Sequence, residues 1–118
     1  MNRTWIELDR EALAHNIRRY QSLLPAGCRI MGVVKADAYG HGARGIRHFA
    51  TATLDEAVQL REAGIQGEIL ILGYSAPAYF HLLAEHGLTQ TATCPDHAAQ
   101  LETYCRENGV RLKVHIAV

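Results

Sequence analysis

The sequence predicts an α/β fold built on parallel strands. Three observations carry that expectation. Short apolar runs rich in β-branched residues recur along the 118 residues, segments with apolar residues at helical spacing lie between them, and the connecting loops are short. Strand and helix in strict alternation imply parallel strands joined by right-handed crossovers.

Thr4-Trp5-Ile6-Glu7-Leu8 alternates apolar and polar residues and reads as a short strand. Asp9 can cap a helix from about Arg10 to Leu24, on which Leu13, Ile17, Tyr20 and Leu24 fall on one face. Pro25 and Gly27 end it. Arg29 to Lys35 is a nearly continuous apolar run, the pattern of a strand covered on both faces. His48 to Ala52 reads as a second core strand. Thr53-Leu54-Asp55-Glu56 then forms a capping-box pattern and opens a helix to about Ala63, with Gly64 at its end. Ile69-Leu70-Ile71-Leu72 is the third core strand, ending at Gly73. Pro77 suits the first turn of a helix reaching about His86, docked by Tyr79, Phe80, Leu82 and Leu83. Leu88 to Thr93 is a fourth, weaker strand. A helix follows from Pro95 or Asp96 to Asn108-Gly109, with Ala98, Leu101 and Cys105 toward the core, and Leu112 to Val118 is the fifth strand.

Two irregularities stand out. Only twelve residues separate Lys35 from His48, close to the minimum for a parallel crossover that includes a helix. They include Gly40, Gly42 and Gly45, so a full covering helix is not expected there. The sequence also reaches Val118 inside an apolar strand, which by itself would leave an unpaired sheet edge. The expectation is a domain of which residues 1–118 are only part.

Composition narrows the function. Apolar residues make up 48% and charged residues 20%, ordinary for a folded globular chain. Twelve basic and twelve acidic residues cancel, so no net field favours nucleic acid or an anionic membrane. No apolar run approaches 18 residues and no basic-then-apolar leader is present, so no membrane span or signal peptide is expected. Cys28, Cys94 and Cys105 are odd in number and unpaired in spacing, which reads as free thiols in a reducing cytoplasm. The seven histidines are scattered. His81 and His86 do not share a helical face, and Cys94 with His97 lacks a second ligand pair, so no metal site is expected. Gly40-His41-Gly42 lacks the length and the Lys-Ser or Lys-Thr of a phosphate loop.

One residue is out of place. The chain has only two lysines, Lys35 and Lys113, against ten arginines, and Lys35 ends an apolar strand. The C-terminal end of a parallel strand faces the mouth where α/β folds build their sites. Desolvation there lowers an amine's pKa and suits it to condensation with an aldehyde. A lysine at such a position can equally snorkel, with its stem on apolar surface and its ammonium in water. Spacing alone favours the snorkelling lysine.

Val33-Val34-Lys35-Ala36-Asp37-Ala38-Tyr39-Gly40-His41-Gly42 resembles the pyridoxal-phosphate attachment motif of bacterial alanine racemases. The resemblance continues in Trp5-Ile6-Glu7-Leu8-Asp9 with Leu13 and His15-Asn16. It extends through Ala52-Thr53-Leu54-Asp55-Glu56-Ala57, Leu60-Arg61-Glu62-Ala63-Gly64-Ile65 and Ile69-Leu70-Ile71-Leu72-Gly73-Tyr74. It implies the N-terminal part of a TIM-like (β/α)8 barrel, about five strands with intervening helices, followed in the family by a β-rich domain. It further implies a cytoplasmic homodimer that converts L-alanine to D-alanine for peptidoglycan. Lys35 would carry pyridoxal 5'-phosphate as a Schiff base and, once freed, act as base on one face of the α-carbon. A tyrosine from the partner subunit would serve on the other face. Tyr39 matches a residue lining the cofactor site, and Val33 and Leu72 match apolar positions near the ring. His41 lies in the motif with a loop-packing role as fitting as a chemical one.

Much of such a site lies outside these residues. The opposing tyrosine, the arginine for the pyridine nitrogen and the stacked histidine have no match in the chain. At the position where many members carry a lysine that can be carbamylated stands Ala117, and Lys113 is not its equivalent. Members also have about a whole helix more after Gly42. The residues present do not separate alanine from serine as substrate, nor exclude a barrel that binds pyridoxal phosphate without racemising anything. The 118 residues alone are expected to be inactive, because the opposite-face group is missing.

Overall fold

The structure is a computed structural model that describes residues 9–34 and 46–117. Local signals set the first two helices. The Asp9 carboxylate accepts from the amides of Glu11 and Ala12 at 3.0 Å each, opening helix α1 (Arg10–Leu23). Thr53 and Glu56 close the reciprocal capping box predicted for helix α2 (Leu54–Glu62), each side chain satisfying an amide of the other's turn.

Five strands form one parallel sheet in sequence order: β1 (Met31–Val33), β2 (His48–Thr51), β3 (Ile69–Ile71), β4 (Thr89–Ala92) and β5 (Lys113–Ile116). A single 3₁₀ turn (Pro77–Tyr79) leads into helix α3 (Phe80–Glu85), where one longer helix was expected. Helix α4 (Pro95–Asn108) starts with a proline in its first turn and ends at Gly109, which takes φ 63° as a left-handed cap. The expected strand over residues 4–8 lies outside the described residues, as does the greater part of the crossover after Lys35.

The core lies on one face of the sheet. Phe49, Ile69, Ile71 and Ala92 pack there against Leu54, Ala57 and Leu60 of α2, Phe80 and Leu83 of α3, and Leu101 of α4. Phe80 is fully buried, and truncating a phenylalanine so placed costs about 3–5 kcal/mol. Because side chains alternate along a strand, the paired residues of neighbouring strands divide into two faces. Met31, Val33, His48, Ala50, Leu70, Thr89, Thr91, Lys113 and His115 occupy the face turned away from the helices.

Several expectations are corrected. The apolar stripe of α1 is not a core face: Ile17 is buried, but Leu13, Tyr20 and Leu24 are exposed. The run ending at Lys35 is not covered on both sides, since Met31 and Val33 are both exposed. Strand β4 is not weak. Its four residues are all buried, because Thr89 and Gln90 find hydrogen-bond partners on neighbouring segments. The inward face of α4 is His97, Leu101 and Tyr104, one position round from the Ala98 face, and Ala98 is exposed. Phe80 and Leu83 dock α3 as expected, but Tyr79 points to solvent.

Candidate active site at the C-terminal strand ends

Of the residues singled out in the sequence, Lys35, Tyr39 and His41 lie outside the described residues. Val33 and Leu72 lie within them. Val33 ends β1 and is 71% exposed; Leu72 follows β3 directly and is 45% exposed. The Leu72 amide donates to the carbonyl of Thr51 at 2.8 Å, which prolongs the β2–β3 ladder by one step. By alternation Leu72 shares the face of Leu70, which is the face of Val33 and Ala50. Strand β2 stands between the two, so their main chains are separated laterally by roughly 10 Å. Val33 and Leu72 are thus two exposed apolar side chains on one sheet face at the C-terminal strand ends.

Sequence reading missed the residues that hold this end together. Gln90, in β4, is fully buried. Its Nε2 donates to the carbonyls of Gly73 at 2.7 Å and Thr91 at 2.8 Å, and its Oε1 accepts from the Ser75 hydroxyl at 2.6 Å. His97, in the first turn of α4, is 1% exposed and sits 3.1 Å from the Ser75 carbonyl through Nε2. A carbonyl can only accept, so Nε2 carries the proton and Nδ1 is left to accept from the Thr93 amide at 3.4 Å. The imidazole ring also lies 4.6 Å from that of Tyr74 and 5.9 Å from that of Phe80. A glutamine amid threonines in a predicted strand was the available signal. Its partners lie 15 and 17 residues away, beyond any local pattern.

The opposite end of the sheet is held differently. Glu68 accepts from the Thr89 hydroxyl and from Lys113 Nζ at 3.2 Å. The Thr89 bond, with help from Lys113, holds the Glu68 carboxyl below the usual carboxylate range against the opposing effect of burial. Arg61 donates to four main-chain carbonyls at this end, those of Ile65, Gly67, His86 and Gly87. Burial lowers its pKa and Glu68 opposes that shift. On the sheet face away from the helices, the Thr91 hydroxyl is buried without a partner. Among the described residues no group of three histidine, cysteine or acidic side chains could hold a metal, and no helix is long and apolar enough to cross a membrane. All three cysteines are free thiols.

Comparison with known proteins gives this geometry a context. Residues 8–118 match the family described as alanine racemase, N-terminal domain. Alanine racemase 1 of Caldanaerobacter subterraneus is 38% identical over 98% of this chain and 32% of its own length. The serine/alanine racemase of Enterococcus gallinarum is 36% identical over 95% of this chain and 17% of its own length. The chain thus spans about a third or less of the curated relatives it matches. Among solved structures, alanine racemase from E. faecalis superposes with a TM-score of 0.79 at 36% identity, over 91% of this chain and 32% of that one. The Bacillus anthracis alanine racemase with bound L-Ala-P superposes with a TM-score of 0.80 at 31% identity, over 96% and 31%. The five strands are accordingly the N-terminal part of a (β/α)8 barrel, and the sheet face turned away from the helices is its interior. The alignment with the Caldanaerobacter protein spans 124 positions against about 116 residues of this chain (98% of 118), so about eight positions of the relative have no counterpart here.

Proposed function

The chain belongs to the alanine racemase N-terminal domain family, and on that premise we propose that the protein carrying it is a pyridoxal-phosphate-dependent amino-acid racemase acting on alanine. Residues 1–118 supply the cofactor-anchoring part of its barrel, and the reaction provides D-alanine for peptidoglycan in the cytoplasm of a homodimeric enzyme. One observation carries the reading. Val33 closes β1 at its C-terminal end, exposed on the barrel-interior face, and Lys35 follows it in the sequence by two residues.

Within this reading Lys35 is the covalent anchor of the cofactor and, once released, a base toward the α-proton on one face of the substrate. Pyridoxal phosphate, when bound, supplies the electron sink that makes such a proton removable. Val33 and Leu72 exclude water from the two sides of the ring, and Tyr39 contributes a polar contact. Among the described residues, the acidic side chain of the sheet's inner face, Glu68, is engaged at the opposite end by Thr89 and Lys113. A second reading, in which serine is also a substrate, is favoured by the likeness to the serine/alanine racemase.

The test is direct. The protein mixed with pyridoxal phosphate should develop a visible absorbance band, and borohydride reduction should fix the cofactor's mass on the peptide containing Lys35. Lys35→Ala should abolish both. A band and adduct that persist in that variant would overturn the assignment, and assays with L-alanine and L-serine separate the two substrates.

A further inference from the structure

The C-terminal end of the sheet at β3 leads into a loop with no regular structure of its own, the five residues 72–76 between β3 and the 3₁₀ turn. It begins with Leu72 and carries Tyr74, 56% exposed. Three atoms of this loop are gripped by side chains of later elements. Gln90 of β4 takes the Gly73 carbonyl and the Ser75 hydroxyl, and His97 of α4 takes the Ser75 carbonyl. On its other flank the loop is pinned to the residue that follows β2. The Gly73 amide donates to the Ala52 carbonyl at 3.1 Å, and a Cβ at Gly73 would come within 2.5 Å of that same oxygen.

We propose that Gln90 and His97 are positioning residues for the cofactor pocket: they clamp Gly73–Ser75 so that Leu72 and the Tyr74 ring hold a fixed wall at the barrel mouth. The inference rests on the racemase reading. Two fully buried polar side chains are an expensive way to stabilise a core, since apolar residues of similar volume serve stability as well or better. What they add is a defined geometry, because three of their hydrogen bonds, to the Gly73 carbonyl and the Ser75 hydroxyl and carbonyl, are matched to one conformation of the loop. The His97 ring adds a second constraint, as Tyr74 leans on it at 4.6 Å with the planes tilted by 50°. The corresponding carbonyls at the other end of the barrel are held by Arg61, which reaches nothing at the mouth. The two ends of the sheet therefore answer to separate clamps.

Three variants of the protein test the clamp. Gln90→Met keeps the volume and loses all three hydrogen bonds, and His97→Phe keeps the ring contacts and loses the Ser75 and Thr93 bonds. Ser75→Ala is the milder control, removing only a hydroxyl should either core variant fail to fold. Two quantities are read: pyridoxal phosphate affinity from the visible band, and exchange of the Leu72 and Gly73 amides with deuterium. The expected result is at least about a ten-fold loss of cofactor affinity in Gln90→Met and His97→Phe, the scale on which outer partners tune bound groups. It comes with faster exchange at Leu72 and Gly73 and unchanged exchange at Phe49 and Ile69. Ser75→Ala should show the same pattern more weakly. A folded variant with lowered melting temperature but unaltered affinity and exchange makes these residues merely structural and overturns the proposal. If the parent protein itself binds no pyridoxal phosphate, the racemase reading fails, and the exchange data still decide the clamp.

Discussion

Arg61 Nε donates to the main-chain carbonyl of His86 at 2.7 Å, joining the end of α2 to the end of α3 across 25 residues of sequence. The same guanidinium closes the turn ahead of β3 through Ile65 and Gly67, both at 2.7 Å. Four carbonyls thus share one planar fork, a geometry lysine cannot reproduce. Arg61→Ala is expected to lower stability by about 2–4 kcal/mol, given the strength of hydrogen bonds to a charged donor and the carbonyls left bare. Arg61→Lys should recover less than half of that loss. Urea unfolding of the two variants beside the parent decides it, and equal midpoints for parent and Arg61→Lys would remove the fork from the account.

Glu68 predicts an acid limb to stability. Its carboxyl titrates lower in the folded chain than when unfolded, chiefly through the Thr89 hydroxyl and then Lys113. A depressed carboxylate contributes stability that is fully present above its unfolded value, near 4.3, and is lost as pH falls through the lower folded value. Glu68→Gln should therefore flatten the loss of stability below about pH 4.5 while changing the curve little in shape near pH 7. Lys113 is largely exposed, so salt should weaken its share of the effect and leave that of the buried Thr89 hydroxyl in place. Thermal melts from pH 3 to 7 at two salt concentrations measure it.

Gly67 and Gly73 are expected to reject alanine for the same steric reason and with different consequences. At Gly67 a Cβ would collide with the Arg47 carbonyl, so Gly67→Ala must push β2 and β3 apart at their N-terminal ends. At Gly73 it would collide with the Ala52 carbonyl beside Leu72. Gly67→Ala should lower the melting temperature and leave cofactor affinity of the folded fraction intact. Gly73→Ala should weaken the affinity as well. Matching melts with absorbance titrations separates them.

Thr53→Ala removes one half of the capping box that starts α2. The expected cost is about 1 kcal/mol, within the range of such caps. Glu56→Ala should cost a comparable amount, and the double variant less than the sum, because each side chain serves the other's turn. A double-mutant cycle in urea gives the coupling directly.

The strands and caps were legible in the sequence because their causes are local. Ile69-Leu70-Ile71 is apolar without interruption and β-branched at both ends, and Thr53 with Glu56 completes its bonds within four residues. Strand β4 was underrated for the opposite reason. Thr89, Gln90 and Thr91 look polar until partners that flank β3, Glu68 before it and Gly73 and Ser75 after it, satisfy two of them. The face of α4 was rotated by one position because Ala98 and Leu101 fit a helical period, while the contacts that bury His97 come from Ser75 and Tyr74, more than 20 residues earlier. Val33 and Leu72 were singled out through the family resemblance rather than through periodicity, and the described structure puts both, exposed, on the sheet face turned away from the helices. Gln90, Ser75 and His97 were found only once the chain was folded.

The brevity of the β1–β2 connection has a kinetic consequence. Residues 34–47, fourteen in all, separate the two strands, against twenty (93–112) between β4 and β5. Closing a loop costs an entropy that grows with the logarithm of its length. The pair β1–β2 is therefore the least costly parallel contact to nucleate, and it would be the first rung from which the rest of the sheet zips. The strand that leads to Lys35 would then be among the earliest parts of the barrel to acquire its neighbour, well before β5 finds its place.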